Sequence, residues 1–158
     1  MTKGKLKTFH KGIHCDDYKY ITKDKPIEKM PLVDDYFVGL SQHLGAPSTA
    51  VVEKGNTVKE GQLIAKASGF VSANIYSPVC GQVLGIEQRT NNFGFTADYI
   101  HIKRSEGQAV TLADIDKNDS KAIKERIFLA GIVGLGGAGF PTHVKISPTK
   151  PVDTLIIN

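Results

Sequence analysis

Glycine or proline interrupts the stretch from Ala50 to Lys103 every few residues, at Gly55, Gly61, Gly69, Pro78, Gly81, Gly85 and Gly94. A helix of ordinary length does not fit between such breaks, because glycine weakens an α-helix and proline stops one. Short apolar runs do fit. They are Ala50-Val51-Val52, Leu63-Ile64-Ala65, residues 70–77, residues 79–86 and the alternating Tyr99-Ile100-His101-Ile102-Lys103. Glu53-Lys54-Gly55-Asn56 reads as a turn. Strands this short, with turn residues between them, predict a small antiparallel sandwich or barrel. Gly61-Gln62-Leu63-Ile64-Ala65 and Gly81-Gln82-Val83-Leu84-Gly85 echo one another twenty residues apart. Each sets a Gly-Gln turn before a small apolar strand, which predicts two quasi-equivalent halves.

The flanks differ from this region. Residues 1–30 read as extended, since Pro26 and Pro31 forbid a continuous helix. Residues 36–40 form a further β-rich run, and residues 41–47 a turn. Residues 105–118 are polar and read as a connector. Asp119 or Ser120 can cap a helix whose apolar face is Ile123, Ile127 and Ala130, with Gly131 as its stop. Thr154-Leu155-Ile156-Ile157-Asn158 reads as a buried strand. An apolar strand needs its edge covered, so the expectation is a piece of a longer protein that enters a second, α/β-type domain. The expected divisions are 1–30, 31–104, 105–118 and 119–158.

Composition narrows the function classes. Of the 158 residues, 41% are hydrophobic and 23% charged, as in globular proteins. No apolar run approaches the ~18–20 residues of a membrane span, and the lysine-rich N-terminus lacks a secretory h-region; the expected compartment is the cytosol. Net charge is +4, and residues 1–30, with eight lysines and four acids, carry the whole excess. Those lysines have few aromatics among them and alternate with Asp16, Asp17, Asp24 and Glu28. This is the pattern of a solvated arm rather than of a nucleic-acid surface, and no nucleic-acid partner is expected. Two cysteines, Cys15 and Cys80, cannot supply a disulfide framework or a four-cysteine cluster.

One segment stands out for chemistry. Gly131-Ile132-Val133-Gly134-Leu135-Gly136-Gly137-Ala138-Gly139 places five glycines in nine positions. Glycine leaves no side chain between backbone N–H groups and a ligand, so such a loop can cradle phosphate or lie under a planar cofactor. Gly134, Gly136 and Gly139 satisfy G-x-G-x-x-G, but a helix precedes them where a dinucleotide fingerprint needs a strand. Lys145 lies six residues on, within reach of an anion. His10, His14 and Cys15 have metal-ligand chemistry but no evident fourth ligand, so no metal and no catalytic residue is assigned. His43, His101 and His143 are scattered, His101 as a packing or solvated residue.

Two resemblances add to this reading. Gly55-x-x-Val58-x-x-Gly61-Gln62 and Ser77-Pro78-Val79-Cys80-Gly81-Gln82-Val83 are similar to the two halves of a barrel-sandwich hybrid, the fold of lipoyl and biotin carriers. Carriers hold a modifiable lysine between the halves. Residues 70–76 contain none, so a structural or docking module without covalent cofactor is the alternative reading.

The second resemblance runs from Phe9 to Asn158. Gly12-Ile13-His14, residues 40–47 (Leu-Ser-Gln-His-Leu-Gly-Ala-Pro), Phe70-Val71-Ser72-Ala73 and residues 130–145 together resemble the RnfC family, the electron-input subunit of Rnf ion-translocating complexes. The glycine loop is also similar to that of the flavin subunit of respiratory complex I. The resemblance implies a β-rich sandwich-hybrid module followed by the start of a Rossmann-like flavin/NAD domain, a mixed α+β chain overall. It implies electron exchange between NAD(H) and ferredoxin through FMN and two 4Fe-4S clusters, with other Rnf subunits as partners at the cytoplasmic face of the bacterial membrane. Gly134, Leu135, Gly136 and Gly137 would then line the flavin, Lys145 would pair with it, and Asn158 would close the site. Ala138, Gly139 and Phe140 would face the dinucleotide. Leu135 stands where the complex I loop usually has arginine, and Cys15 and Asp16 where RnfC chains often have prolines. No cluster cysteines are present.

Overall fold

A computed structural model describes residues 16–91 and 94–154. The N-terminal lysine arm, His10, His14 and Cys15, and the apolar residues 155–158 with Asn158, lie outside the described residues. The chain forms two compact units, Met1–Leu32 and Val33–Asn158. In the first, the described residues are all exposed and carry one 3-10 turn, Lys19–Ile21, whose first N–H donates to Asp17 Oδ1 at 3.0 Å.

The second unit is built of antiparallel strands. β1 (Asp35–Gly39), β2 (Thr49–Ala50), β3 (Thr57–Val58), β4 (Leu63–Lys66), β5 (Ile75–Tyr76), β6 (Gly81–Thr90) and β7 (Thr96–Arg104) form two sheets, in the orders β1-β7-β6-β3 and β2-β4-β5. The period of two puts alternate residues into the core. In β7, Ile100 and Ile102 are fully buried, while Tyr99, His101 and Lys103 face outward. Opposite them, β1 contributes Val38 and Tyr36, in register with Ile100 and Ile102. Ile64 and Ala65 from the second sheet and Val58 and Val83 from the first close the same cluster. This is the sandwich the sequence predicts.

Three local expectations are corrected. Of residues 70–77, only Ile75–Tyr76 is strand. The preceding loop is fastened by its own polar side chains: Asn74 Oδ1 accepts from Ala67 N–H at 3.0 Å, and Ser72 Oγ donates to Ala46 O at 2.9 Å. Such side-chain bonds compete with a strand ladder for the backbone. Of Ala50-Val51-Val52, only Ala50 pairs in a strand. The two Gly-Gln echoes also differ. Gly61 is a turn glycine with φ +78°, whereas Gly81 opens β6, where a Cβ would sit 2.3 Å from Lys103 O. One glycine serves the turn and the other the close approach of two strands.

Residues 105–118 carry no regular structure but lie along the barrel. Ser105 N–H donates to Cys80 O and Val110 N–H to Glu60 O, both at 2.8 Å. Cys80 is buried there, its Sγ accepting from Glu60 N–H at 3.3 Å and directed at Gln108 O at 3.5 Å. Helix α1 (Ser120–Leu129) follows. Asp119 is its cap, accepting from Lys121 N–H at 2.8 Å, and Ala130 and Gly131 end it. Beyond α1 come a two-stranded hairpin, β8 (Val133–Gly134) with β9 (Phe140–Pro141), and a single helical turn, α2 (Thr142–Lys145). Every strand pair among the described residues is antiparallel.

Candidate functional site

The glycine segment is the tip of the β8–β9 hairpin. Its glycines divide by what surrounds them. Gly131 has φ +64°, and a Cβ there would lie 2.1 Å from Asn74 O of the barrel. Gly139 has φ +67°, is buried, and would press a Cβ to 3.1 Å from Gln42 O. At Gly134 a Cβ would meet Lys145 Nζ at 2.7 Å, so the bare position lets the lysine lie across the hairpin. Gly136 and Gly137 are different: neither has positive φ, and nothing lies within 4 Å of a Cβ built on either. Nothing within the described chain requires glycine at these two positions.

The tip is open to solvent. Leu135, Gly136, Gly137 and Ala138 are exposed, Leu135 to 87%. Gly139 N–H donates to Gly134 O at 3.2 Å and narrows the neck of the hairpin. None of the backbone bonds outside regular elements among the described residues uses the N–H groups of Gly136, Gly137 or Ala138. Backbone amides free of chain partners, with a lysine at the neck of the same hairpin, have the chemistry to bind an anion. Of the residues expected at a flavin and dinucleotide site, the structure therefore brings together Gly134, Leu135, Gly136, Gly137, Ala138, Gly139, Phe140 and Lys145. Asn158 lies outside the described residues.

Between the hairpin and the barrel is a cleft of about 560 Å³. Tyr36, Tyr76 and Tyr99 line its barrel side and Gly131, Val133 and Leu135 its hairpin side. The hairpin is fixed at this edge by the turn after β1. Leu44 N–H donates to Gly139 O at 3.2 Å.

His43 of that turn is a buried residue that sequence reasoning left without a role. Its Nε2 accepts from Ala73 N–H at 3.2 Å and lies 3.0 Å from Ser48 Oγ, while Nδ1 lies 3.2 Å from Leu44 O. Since Nε2 accepts from a backbone amide, Nδ1 carries the proton toward Leu44 O. Ser48 Oγ donates to Ala73 O at 2.7 Å. A contact thirty residues apart leaves no periodic signal; only the position of His43 within the motif of residues 40–47 pointed near it.

His101, read as a packing or solvated residue, sits in a ladder on the outer face of the sheet. Its ring stacks on Phe37 at 4.3 Å, Nε2 donates to Asp35 Oδ1 at 2.8 Å, and Nδ1 lies 3.5 Å from Glu87 Oε1. Arg89 covers the other face of Phe37 at 3.6 Å. The hydrogen bond from His101, and then the one from Lys103 at 3.1 Å, hold the Asp35 carboxyl below the usual carboxylate range. The bond to Asp35 in turn holds Lys103 above the usual lysine range. The remaining histidine, His143, packs edge-on against Phe128 at 4.8 Å. Among the described residues no three of His, Cys, Asp and Glu are grouped to hold a metal, and no helix is long and apolar enough to cross a membrane.

Comparison with known proteins bears on the whole chain. The RnfC barrel sandwich hybrid domain matches residues 7–107. The C-type subunit of a proton-translocating ferredoxin:NAD(+) oxidoreductase complex from Clostridium ljungdahlii is 41% identical over 97% of this chain and 35% of its own length. The Na(+)-translocating counterpart from Acetobacterium woodii is 37% identical over 96% of the chain and 36% of its own. The corresponding subunit of an ion-translocating oxidoreductase complex from Pseudomonas aeruginosa is 39% identical over 97% and 21%. The chain thus spans between 21% and 36% of the length of these relatives.

Proposed function

The chain belongs to the RnfC family, and from that premise we propose that its glycine hairpin is a flavin-phosphate cradle in an enzyme that exchanges electrons between NAD(H) and ferredoxin. The relatives' names supply the two substrates and the coupling to ion translocation. The observation that carries the flavin part is the pair Gly136 and Gly137, which neither backbone conformation nor packing requires to be glycine.

The residues present fit FMN. The amides of Gly136, Gly137 and Ala138 would hold its phosphate or ring edge. Lys145, whose Nζ lies over Gly134, would supply the charge. A charge-assisted hydrogen bond is worth roughly 1.5–3 kcal/mol, so Lys145 carries more than any single amide. Leu135 brings no charge to the tip and leaves that task to backbone and lysine. Phe140, half-buried in β9 beside this neck, would flank the dinucleotide. FMN, when bound, supplies the conversion between two-electron and one-electron transfer. The hairpin's part is to orient it and to keep a positive potential at its phosphate. Residues 119–154 are then the entry to an α/β flavin domain.

Iron–sulfur clusters do not fit the described residues. Cys80 is buried with its sulfur engaged, and no ligand set surrounds it. The protein would work as a peripheral subunit at the cytoplasmic membrane face, docked to the other subunits.

The test is an FMN titration followed by flavin fluorescence quenching. Saturable binding is expected, and Lys145→Ala is expected to weaken it roughly tenfold or more, the equivalent of ~1.4 kcal/mol or above. Binding that Lys145→Ala leaves unchanged would remove Lys145 from the site. No binding, by this chain or by one extended past Asn158, would return the module to a docking role.

A further inference from the structure

We infer that His43 is a positioning residue for the glycine hairpin. Its buried ring acts on the loop through the backbone of residues 42–44, on which the loop rests. The inference rests on the flavin reading above for what the loop holds, but its geometry is independent of any ligand.

The hairpin has one backbone hydrogen bond to the turn after β1, from Leu44 N–H to Gly139 O. Gly139 seats flush on that turn, so close that a Cβ would press on Gln42 O at 3.1 Å and on the Cα of His43 at 3.2 Å. Residues 42–44 are therefore the surface against which the neck of the hairpin rests.

That surface is held from beneath. The buried ring of His43 spans from Leu44 O to the Ala73 amide and Ser48 Oγ. Ala73 belongs to the loop leading into β5, and Ser48 ties to the same residue through its carbonyl. A planar ring with one donor and one acceptor at a fixed separation joins two chain segments thirty residues apart. Gln42 adds a local brace, its Nε2 donating to Gly39 O at 2.9 Å. Position passes from the barrel to Ala73, then to His43, to Leu44, to Gly139 and to the open amides at Gly136 and Gly137.

Two consequences separate positioning from mere stability. Loss of the ring should loosen the hairpin while the core around Ile100 and Ile102 stays closed. A side chain that restores the acceptor at the Nε2 position should restore the hairpin. Glutamine reaches that position with its amide oxygen; leucine fills the space with no polar atom.

The experiment is amide hydrogen exchange on the full chain without ligand, read at Leu44, whose N–H makes the contact with Gly139 O, against Ile100 and Ile102. His43→Leu should raise exchange at Leu44 roughly tenfold, as loss of one buried hydrogen-bond anchor implies. His43→Gln should return it close to wild type. Gly139→Ala, which breaks the contact from the hairpin side, should free the Leu44 amide as well. Unchanged exchange at Leu44 in His43→Leu overturns the inference. So does a His43→Gln variant as loose as His43→Leu.

If His43→Leu also exposes Ile100 and Ile102, Ser48→Ala carries the test. It removes the hydroxyl that ties residue 48 to Ala73 O beside the ring, and exchange must rise at Leu44 while Ile100 and Ile102 stay protected; no rise at Leu44 overturns the inference. With FMN as the probe, wild type and His43→Gln should bind alike, and His43→Leu and Gly139→Ala more weakly. Wild type that binds no FMN would sink the flavin reading, with the exchange pattern still deciding the role of His43.

Discussion

The barrel and the glycine hairpin are built on opposite principles. The barrel hides its determinants. Ile64, Ile100 and Ile102 are fully buried, and each side chain has a reason visible in its neighbours. The hairpin keeps its most informative residues in the open. Its neck, Gly139 and Pro141, is buried, but a Cβ on Gly136 or Gly137 at the tip would meet nothing of its own chain. The difference teaches where to look for function. A residue type that internal packing explains says little about ligands. Two glycines that packing does not explain say more.

Substitutions sharpen this contrast, since a barrel change should act on stability and a tip change on binding. Ile100→Ala, at the centre of the core, should destabilise by about 2–5 kcal/mol, the range for a buried Ile or Leu cut to alanine. Urea denaturation measures it, and a loss under ~1 kcal/mol would mean the core is not where the structure places it. Gly131→Ala joins the two regions. It forces an alanine to φ +64° and a Cβ into Asn74 O, and should lower stability by roughly 1–3 kcal/mol. Its thermal midpoint tests that; an unchanged midpoint would separate the end of α1 from the barrel.

A smaller effect belongs to the outer face. Asp35 has its pKa lowered in the folded chain by His101 first and Lys103 next. A lowered folded pKa stabilises above the ordinary carboxylate range and is lost as pH falls through the folded value. Stability should therefore drop below about pH 4, and Asp35→Asn should drop less steeply there. The pair is exposed, so salt should shrink the difference. Identical acid limbs in wild type and Asp35→Asn would show the ladder adds nothing. The smallest effect on stability is expected at the tip. Gly136→Ala meets no neighbour and should stay within about 0.5 kcal/mol of wild type, yet weaken FMN binding. Undiminished binding would break the contrast, because the bare backbone would then have no use.

Much of the barrel is legible from residues alone. The breaks at Gly55, Gly61 and Pro78 and the alternation of residues 99–103 are local signals, and local signals suffice for strands whose faces differ. The cap at Asp119 and the stop at Gly131 are local too, since a few neighbouring residues decide each. Residues 70–74 misled because Phe and Val have β propensity, while the serines that hold the loop do so through partners twenty or more residues away. The candidate site divides the same way. A dense run of glycines announces a loop with bare backbone, and Lys145 announces a nearby charge.

Which glycines serve the fold and which stand free was not legible. Gly131 and Gly139 are held to glycine by their positive φ and by the Asn74 and Gln42 carbonyls, neighbours brought there by folding, while at Gly134 a Cβ would displace only the end of the Lys145 side chain. His43 is the clearest case. As a sequence symbol it is one histidine among five. Its place between Leu44, Ser48 and Ala73 exists only after the sheets have closed. Pattern along a chain specifies which backbone conformations are open to each segment. Contacts between distant segments depend on how those conformations pack, and that packing decides which glycines have neighbours and which stand free.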